Sequence, residues 1–443
     1  MNERVRLFSG STAALFAIVL LALAFLDKGQ ITGDGILRWE ALRSLAERGE
    51  LTPEKYTIAQ PLLAWPLWMA GEAGARLRGE ADAVSIERAA RHAAQRYNKW
   101  IALGIAFWMF RFLRGTVGAS VRHAGLGVMV LLFGSLLLPH AKDFYSEPTW
   151  TLATLVALGA AARVIRGDPP SGAAVAVAAG ALAIWVNPAL APVFVATGGA
   201  LVMLAPAHRR RIAAIAAAAP LALGATILAI ENALRRGHAW DFGYPGESFS
   251  TPLLEGLAGL LASPTRGLVF FVPALLPAAF AFARRRAFDA TGAFAALAAV
   301  YSVALLFVYA QWHAWHGMWY WGPRFLLPVS VFAVVGVAMI AARAPEVSRG
   351  LRVAAAVTVL ASFLVYEHGV VWGQSELVEC LGATGDSPAC FWEWKFLPYA
   401  AYVDGDAWAR IAAHRSTLVL AGTLLAFALW WRAAPQEPNR NRS

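Results

Sequence analysis

Apolar runs of roughly 15–22 residues recur along the whole chain, separated by short clusters of arginine. A water-soluble core cannot absorb so many unbroken apolar segments, because each soluble helix keeps one polar face for solvent. Hydrophobic residues make up 58% of the sequence and the mean hydropathy is +0.53. The chain therefore reads as an all-α, polytopic membrane protein. Candidate spans fall near 8–26, 98–112, 122–138, 149–165, 172–186, 188–205, 212–230, 267–283, 289–309, 325–342, 350–367 and 414–432, about twelve transmembrane helices in a single domain over 1–443. The first run follows "MNERVR", is long for a signal peptide and lacks a convincing cleavage site, so it reads as a retained span.

A net charge of +10 would suit a nucleic-acid binder if the chain were soluble. Here the arginines lie in short clusters between spans, a topology signal with no phosphate-binding groove. With "RFLRG", "RVIRGD", His208 to Arg211, "ARRRAF", "ARAPEVSRGLR" and the C-terminal tail on the side of "MNERVR", both termini are expected in the cytoplasm of a bacterial inner membrane. "PLLAWPLWMAGEAGARL" is apolar but short, and it holds Pro61, Pro66 and Glu72; a crossing there would turn every later arginine cluster outward. Residues 27–97 are therefore expected to form one long extracytoplasmic loop carrying juxtamembrane helices. Arg76, Arg78, Arg88, Arg91 and Arg96 then stand outside, offset in part by Glu72, Glu80, Asp82 and Glu87. Further extracytoplasmic loops are expected at 231–266 and 368–413.

The expected spans carry almost no ionisable group in their interiors, which argues against the alternative of a lipid-linked glycan flippase or transporter. The outer loops, by contrast, concentrate acids, histidines, aromatics and arginines. In "QITGDGILRW" a lone carboxylate, Asp34, stands between Gly33 and Gly35 just beyond the first span. A turn or helix-capping aspartate would look the same.

The layout of these loops resembles the GT-C superfamily of integral-membrane glycosyltransferases, nearest to bacterial relatives of protein O-mannosyltransferases and lipid A aminoarabinose transferases. The likeness rests on Asp34 followed by "ALRSLAERGELTPEKYTIAQPLL", on Asp143 and Glu147 at the head of a later span, and on "NALRRGHAWDFGY", "GLLASPTRGLVFFVPALL" and "WHGMWYWGPRFLLP". Gly35 stands where many relatives carry a second acid, and "QPLL" replaces a common double proline. The resemblance implies a GT-C-like fold and an inverting glycosyltransferase. Its donor would be a sugar on a polyprenyl phosphate, and its acceptor a lipid, glycan or protein at the outer face of the membrane. Membrane lipids would surround it.

In such enzymes a first-loop aspartate takes the proton of the acceptor hydroxyl, which gives Asp34 a catalytic role; partial burial is expected to raise its basicity. Asp143 and Glu147 share one face if they enter a helix, where one of them would orient the acceptor or join Asp34 in holding a divalent metal; Ser146, just before Glu147, would equally serve as the cap of that helix. The resemblance assigns Lys55 and Tyr56 to the lipid phosphate. Arg266 and Arg324, at the ends of spans, are further phosphate candidates, with interface snorkelling as the competing account. Trp315, His316 and Trp319, with Tyr244, are expected to wall a sugar or lipid pocket, though an interfacial aromatic belt uses the same residue types. No tight metal-ligand spacing is present, so a divalent metal is left open and no ligand set is assigned. Cys380 and Cys390 are expected to form a disulfide in the last outer loop.

Overall fold

The computed structural model describes residues 10–27, 31–166, 171–283, 290–343, 347–371, 375–385, 387–403 and 406–435. The arginines of "MNERVR" and "ARRRAF", with Arg440 and Arg442 of the C-terminal tail, lie outside these residues. All regular structure among the described residues is helical. Seven helices are long and apolar enough to cross a membrane: Ala83–Val117, Glu147–Arg166, Ala207–Arg236, Thr291–Ala310, Arg324–Ala342, Arg349–Val371 and Arg415–Ala433. Gly10–Phe25, Val121–Phe133, Ser171–Val186, Pro188–Leu204 and Leu253–Ala262 are shorter apolar helices. Each run expected from hydropathy is helical, but by length and composition seven qualify outright as crossings. One expected span, 267–283, is broken into Leu268–Phe271 and Leu275–Ala283. Pro273 explains the break: it lacks an amide donor and pushes Val272 out of helical geometry, to φ −133° and ψ 57°.

The centre of the bundle is Leu327–Ala342, buried along nearly its whole length. It packs against Val121–Phe133, Glu147–Arg166, Leu275–Ala283, Ala290–Ala310 and Arg349–Val371. Its sequence, "LPVSVFAVVGVAMIAA", is uncharged and rich in small residues, which let neighbouring backbones approach closely. Arg324 lies one turn before this helix, so the most buried element presents a cation at its end.

Five helices organise the first part of the chain: α1 (Gly10–Phe25), α2 (Asp34–Arg48), α3 (Ala59–Leu77), α4 (Ala83–Ala94) and α5 (Tyr97–Phe112). Although α3 has 19 residues, it is not one of the seven crossing candidates. It packs on α2 and α4, where Trp39, Leu42, Ala64, Trp68, Ala90 and Phe144 form a small core of their own. The opposite side exposes Leu62, Leu63, Met69 and Leu77. Further on, Cys380 and Cys390 are joined in a disulfide. The chain just past them is pinned to the bundle, where Ser263 Oγ and Thr265 Oγ1 donate to the Phe391 carbonyl at 2.8 and 3.1 Å.

Candidate functional site

Asp34 is the first residue of α2, and the local backbone explains the glycine before it. Gly33 has φ +51°, and a Cβ there would lie 2.6 Å from the Tyr145 hydroxyl oxygen. Only glycine combines that conformation with so close an approach. The N-cap position belongs to Gly33, which offers no side-chain cap. Asp34 is thus not the N-cap of α2, and its carboxylate turns instead to a partner 290 residues away in sequence.

That partner is Arg324, whose Nη2 donates to Asp34 Oδ2 at 2.7 Å while Nη1 lies 3.4 Å from Glu147 Oε1. The arginine side chain is 5% exposed, Glu147 is 4% exposed and Asp34 is 29% exposed. One guanidinium therefore joins two carboxylates from separate loops, under the rings of Tyr145 and Phe325. Burial pushes the Asp34 carboxyl up, but Arg324, the Tyr56 hydroxyl and Arg38 together outweigh it and hold the pKa at about 2. The expectation of a more basic Asp34 is thereby reversed: the ion pair wins over desolvation. Between these two acids the counter-charge is an arginine. Among the described residues no group of three or more His, Cys, Asp or Glu side chains is placed to hold a metal ion, so no step here is assigned to one.

Lys55 and Tyr56 approach the same cluster on a loop that is held from behind. Arg235, with no side-chain exposure, donates to the carbonyls of Thr52 (2.7 Å), Glu54 (2.9 Å) and Tyr56 (2.7 Å). Glu231 balances it, accepting from Arg235, from the Ile58 amide at 2.8 Å and from Trp185 Nε1 at 2.6 Å. The arginines of "NALRRGH" are therefore the scaffold of the Lys55 loop. The sequence held this signal, two arginines ending an apolar helix, but gave no sign of which loop they would grip. At the tip, Lys55 Nζ pairs with Glu247 Oε1 at 2.5 Å and lies 5.0 and 5.8 Å from the ring centres of Tyr56 and Tyr244.

Arg38 went unnoticed in the sequence although it stands four residues after Asp34, one helical turn on. Its guanidinium lies 4.0 Å from the centre of the Tyr56 ring. It is 7% exposed, and its Nε and Nη1 have no hydrogen-bond partner among the described residues. A buried guanidinium with unused donors beside Tyr56 is ready to donate to an oxyanion.

The remaining expected site residues divide. Tyr244 joins the cluster, edge-on to Tyr56 with ring centres 6.1 Å apart. Asp143 lies behind it: it accepts from the Tyr320 hydroxyl, and burial, only partly offset by Tyr320 and Lys142, raises its pKa to about 6. The nearby His140 is fully buried, and desolvation together with Arg324 lowers its pKa to about 3. Arg266 has a different role from the phosphate binding expected of it. It is fully buried and donates to the carbonyls of His316, Thr265 (2.8 Å) and Met318 (2.7 Å), tying down the tryptophan-rich loop. Trp315 and His316 both pack against Phe391. Trp315 is 2% exposed, and His316 stacks on Phe391 at 4.0 Å. They support the last loop, while Trp319 remains 52% exposed.

The fold is that of an all-helical, multi-pass membrane protein. No protein-family model and no curated protein sequence matches the chain. Among solved structures it is similar to the crystal structure of ArnT from Cupriavidus metallidurans bound to undecaprenyl phosphate, with a TM-score of 0.55 at 14% identity over 96% of this chain and 75% of that one.

Proposed function

We propose that this protein is an inverting glycosyltransferase that moves a sugar from a polyprenyl-phosphate-linked donor to a lipid, glycan or protein acceptor at the outer face of a bacterial inner membrane. The observation that carries this reading is the convergence of Asp34, Arg324, Glu147, Tyr56, Lys55 and Arg38 at one end of the bundle. It is supported by the structural likeness to a protein solved with undecaprenyl phosphate bound. A phosphate entering beside Tyr56 would meet the unused donors of Arg38 and the ammonium of Lys55, which would exchange its contact with Glu247 for the ligand.

The acceptor hydroxyl attacks the anomeric carbon, and the bond from that carbon to the phosphate oxygen breaks. The electron pair leaves with the lipid phosphate, whose charge Lys55, Arg38 and the Tyr56 hydroxyl stabilise. Asp34 takes the hydroxyl proton. Held at about 2 by its neighbours, it is a weak base at rest, so proton transfer falls late, when the new carbon–oxygen bond has made the attacking hydroxyl strongly acidic. Arg324 fixes the carboxylate for that moment. The test is transfer from a polyprenyl-phosphate sugar by the purified protein in lipid. Expected are wild-type turnover and an Asp34→Asn variant that still binds polyprenyl phosphate but transfers at least about a hundredfold more slowly. Failure of the wild type to bind polyprenyl phosphate would overturn the reading.

A further inference from the structure

A second charged cavity lies apart from this site, at the junction of α1, α4, α5 and Arg415–Ala433. It encloses about 210 Å³, several times the ~30 Å³ that one water molecule occupies in the liquid. Three cations line it, Arg96, Lys99 and Arg415, against one carboxylate, Asp27. Asp27 is already engaged, accepting from Ser416 Oγ at 3.1 Å and lying 3.8 Å from His414 Nε2. Lys99 is 6% exposed. Its ammonium has three donors, and among the described residues the Leu26 carbonyl accepts one of them. Gathering these cations is unfavourable without an anion, since like charges repel and Lys99 has lost its hydration. In the sequence, Arg96 belongs to the arginines of the first loop that run against the expected charge asymmetry of the topology.

Two further features say what kind of anion fits. The cavity is walled by the ends of α1 and Arg415–Ala433, which pack together, and its wall includes Phe25. Phe25 is 54% exposed, Leu21 one turn earlier on α1 is 55% exposed, and Leu418, three residues after Arg415, is 72% exposed. An apolar track thus runs from the cavity along both helices. The wall also holds Gln95, whose buried Oε1 has no hydrogen-bond partner among the described residues. It can accept a bond from a hydroxyl.

We propose that this cavity binds an anionic phospholipid with a hydroxyl-bearing headgroup: the phosphate on Arg96, Lys99 and Arg415, a headgroup hydroxyl on Gln95, and the acyl chains along Phe25, Leu21 and Leu418. The site is separate from the sugar-transfer cluster and does not depend on the function assigned to it. It gives the bundle a fixed lipid at the seam between its first and last described helices, where Trp430 Nε1 donates to the Ser11 carbonyl at 2.6 Å at the other end.

The test is native mass spectrometry of the full chain released from bilayers of equal phosphatidylglycerol and phosphatidylcholine. One phosphatidylglycerol should stay bound per chain in preference to phosphatidylcholine, and the double variant Arg96→Gln/Arg415→Gln should reduce its retention at least tenfold. Both residues are exposed side chains, and a melt followed by circular dichroism reports folding separately. Gln95→Leu should lose phosphatidylglycerol but hold phosphatidic acid, which lacks the hydroxyl-bearing group. Equal retention of the two wild-type lipids, or unchanged retention in the double variant, would overturn the proposal. Stabilisation by millimolar inorganic phosphate with no lipid preference would assign the cavity to a free oxyanion. If the double variant misfolds, salt decides on the wild type: retention of phosphatidylglycerol must fall steeply as sodium chloride rises, and a salt-independent preference would sink the idea.

Discussion

Two carboxylates a short distance apart in this protein have opposite electrostatic fates. Asp34, at the start of α2, is held at about 2 because Arg324, Tyr56 and Arg38 outweigh its burial. Asp143, at the foot of the next loop, rises to about 6 because burial outweighs Tyr320 and Lys142. Desolvation acts on both in the same direction; what differs is whether a guanidinium faces the acid. The difference separates an acid kept ionised and aimed at a cationic cleft from one packed against a phenol in the wall behind it. On that contrast Asp34 is the acid we propose for chemistry, and Asp143 the one we propose as a support for the loop that carries Tyr145.

The sharpest way to break the comparison is to exchange the effects of the two acids on turnover. Asp34→Asn should reduce sugar transfer by at least about two orders of magnitude, because a positioned base contributes roughly a hundred- to ten-thousand-fold. Asp143→Asn keeps an acceptor for the Tyr320 hydroxyl and should stay within about tenfold of wild type. Single-turnover rates at saturating donor measure both. The reverse order would move the base to the second loop and return Asp34 to a turn residue.

Next in size is Arg324. Arg324→Met removes the guanidinium paired with both Asp34 and Glu147 and leaves Glu147, 4% exposed, facing a second carboxylate. Breaking a buried pair in this way costs about 3–5 kcal/mol. The Asp34 pKa should rise, so the variant should regain part of its stability as pH falls and the acids protonate, a dependence that a melting series between pH 7 and 4 would reveal. A flat series would show that Arg324 does not control the acids.

Arg235→Met should act chiefly on the loop, with a stability cost because it leaves the buried Glu231 without its cation. It leaves the carbonyls of Thr52 and Tyr56 without their donor, while Glu54 keeps Arg236, and should weaken donor binding by roughly tenfold, about 1.4 kcal/mol, with a smaller change in turnover. Lys55→Ala should instead impair both, since a phosphate-holding cation acts in the ground state and the transition state. Equal loss of turnover in the two variants would mean that Arg235 does more than hold the loop.

How much of this was legible in the sequence depends on the range of the interaction. Helix positions follow from local hydropathy, and even the failure at 267–283 traces to a visible proline. Asp34, Lys55 and Tyr56 stood out through the layout of one loop. Their surroundings did not: Arg324 is 290 residues from Asp34, Arg235 is 183 from Thr52, and no periodicity reports which arginine meets which acid. Hence Arg266 and Arg324, alike in sequence as arginines at the ends of spans, separate completely in the fold, one tying backbone carbonyls and the other joining two carboxylates. Arg38 was the nearest miss, since its spacing from Asp34 was visible and only its burial against Tyr56 was not.

The last expected effect tests the Asp143 half of the contrast by its sign. A carboxyl raised to about 6, against about 3.9 in an unfolded chain, binds its proton more tightly in the native state. Stability is therefore highest below the unfolded value and falls as pH rises from about 4 to 6, the opposite of the slope that Asp34 produces between about 2 and 4. Asp143→Asn cannot ionise, so it should remove the decline and become more stable relative to wild type across that window, by on the order of 3 kcal/mol at neutral pH. Urea or thermal melts of the two proteins at pH 4, 5, 6 and 7 measure the difference directly. If the difference stays constant across the series, Asp143 is not titrating there. If the variant instead loses ground as pH rises, Asp143 is stabilised as an anion like Asp34, and the contrast between the two loops disappears.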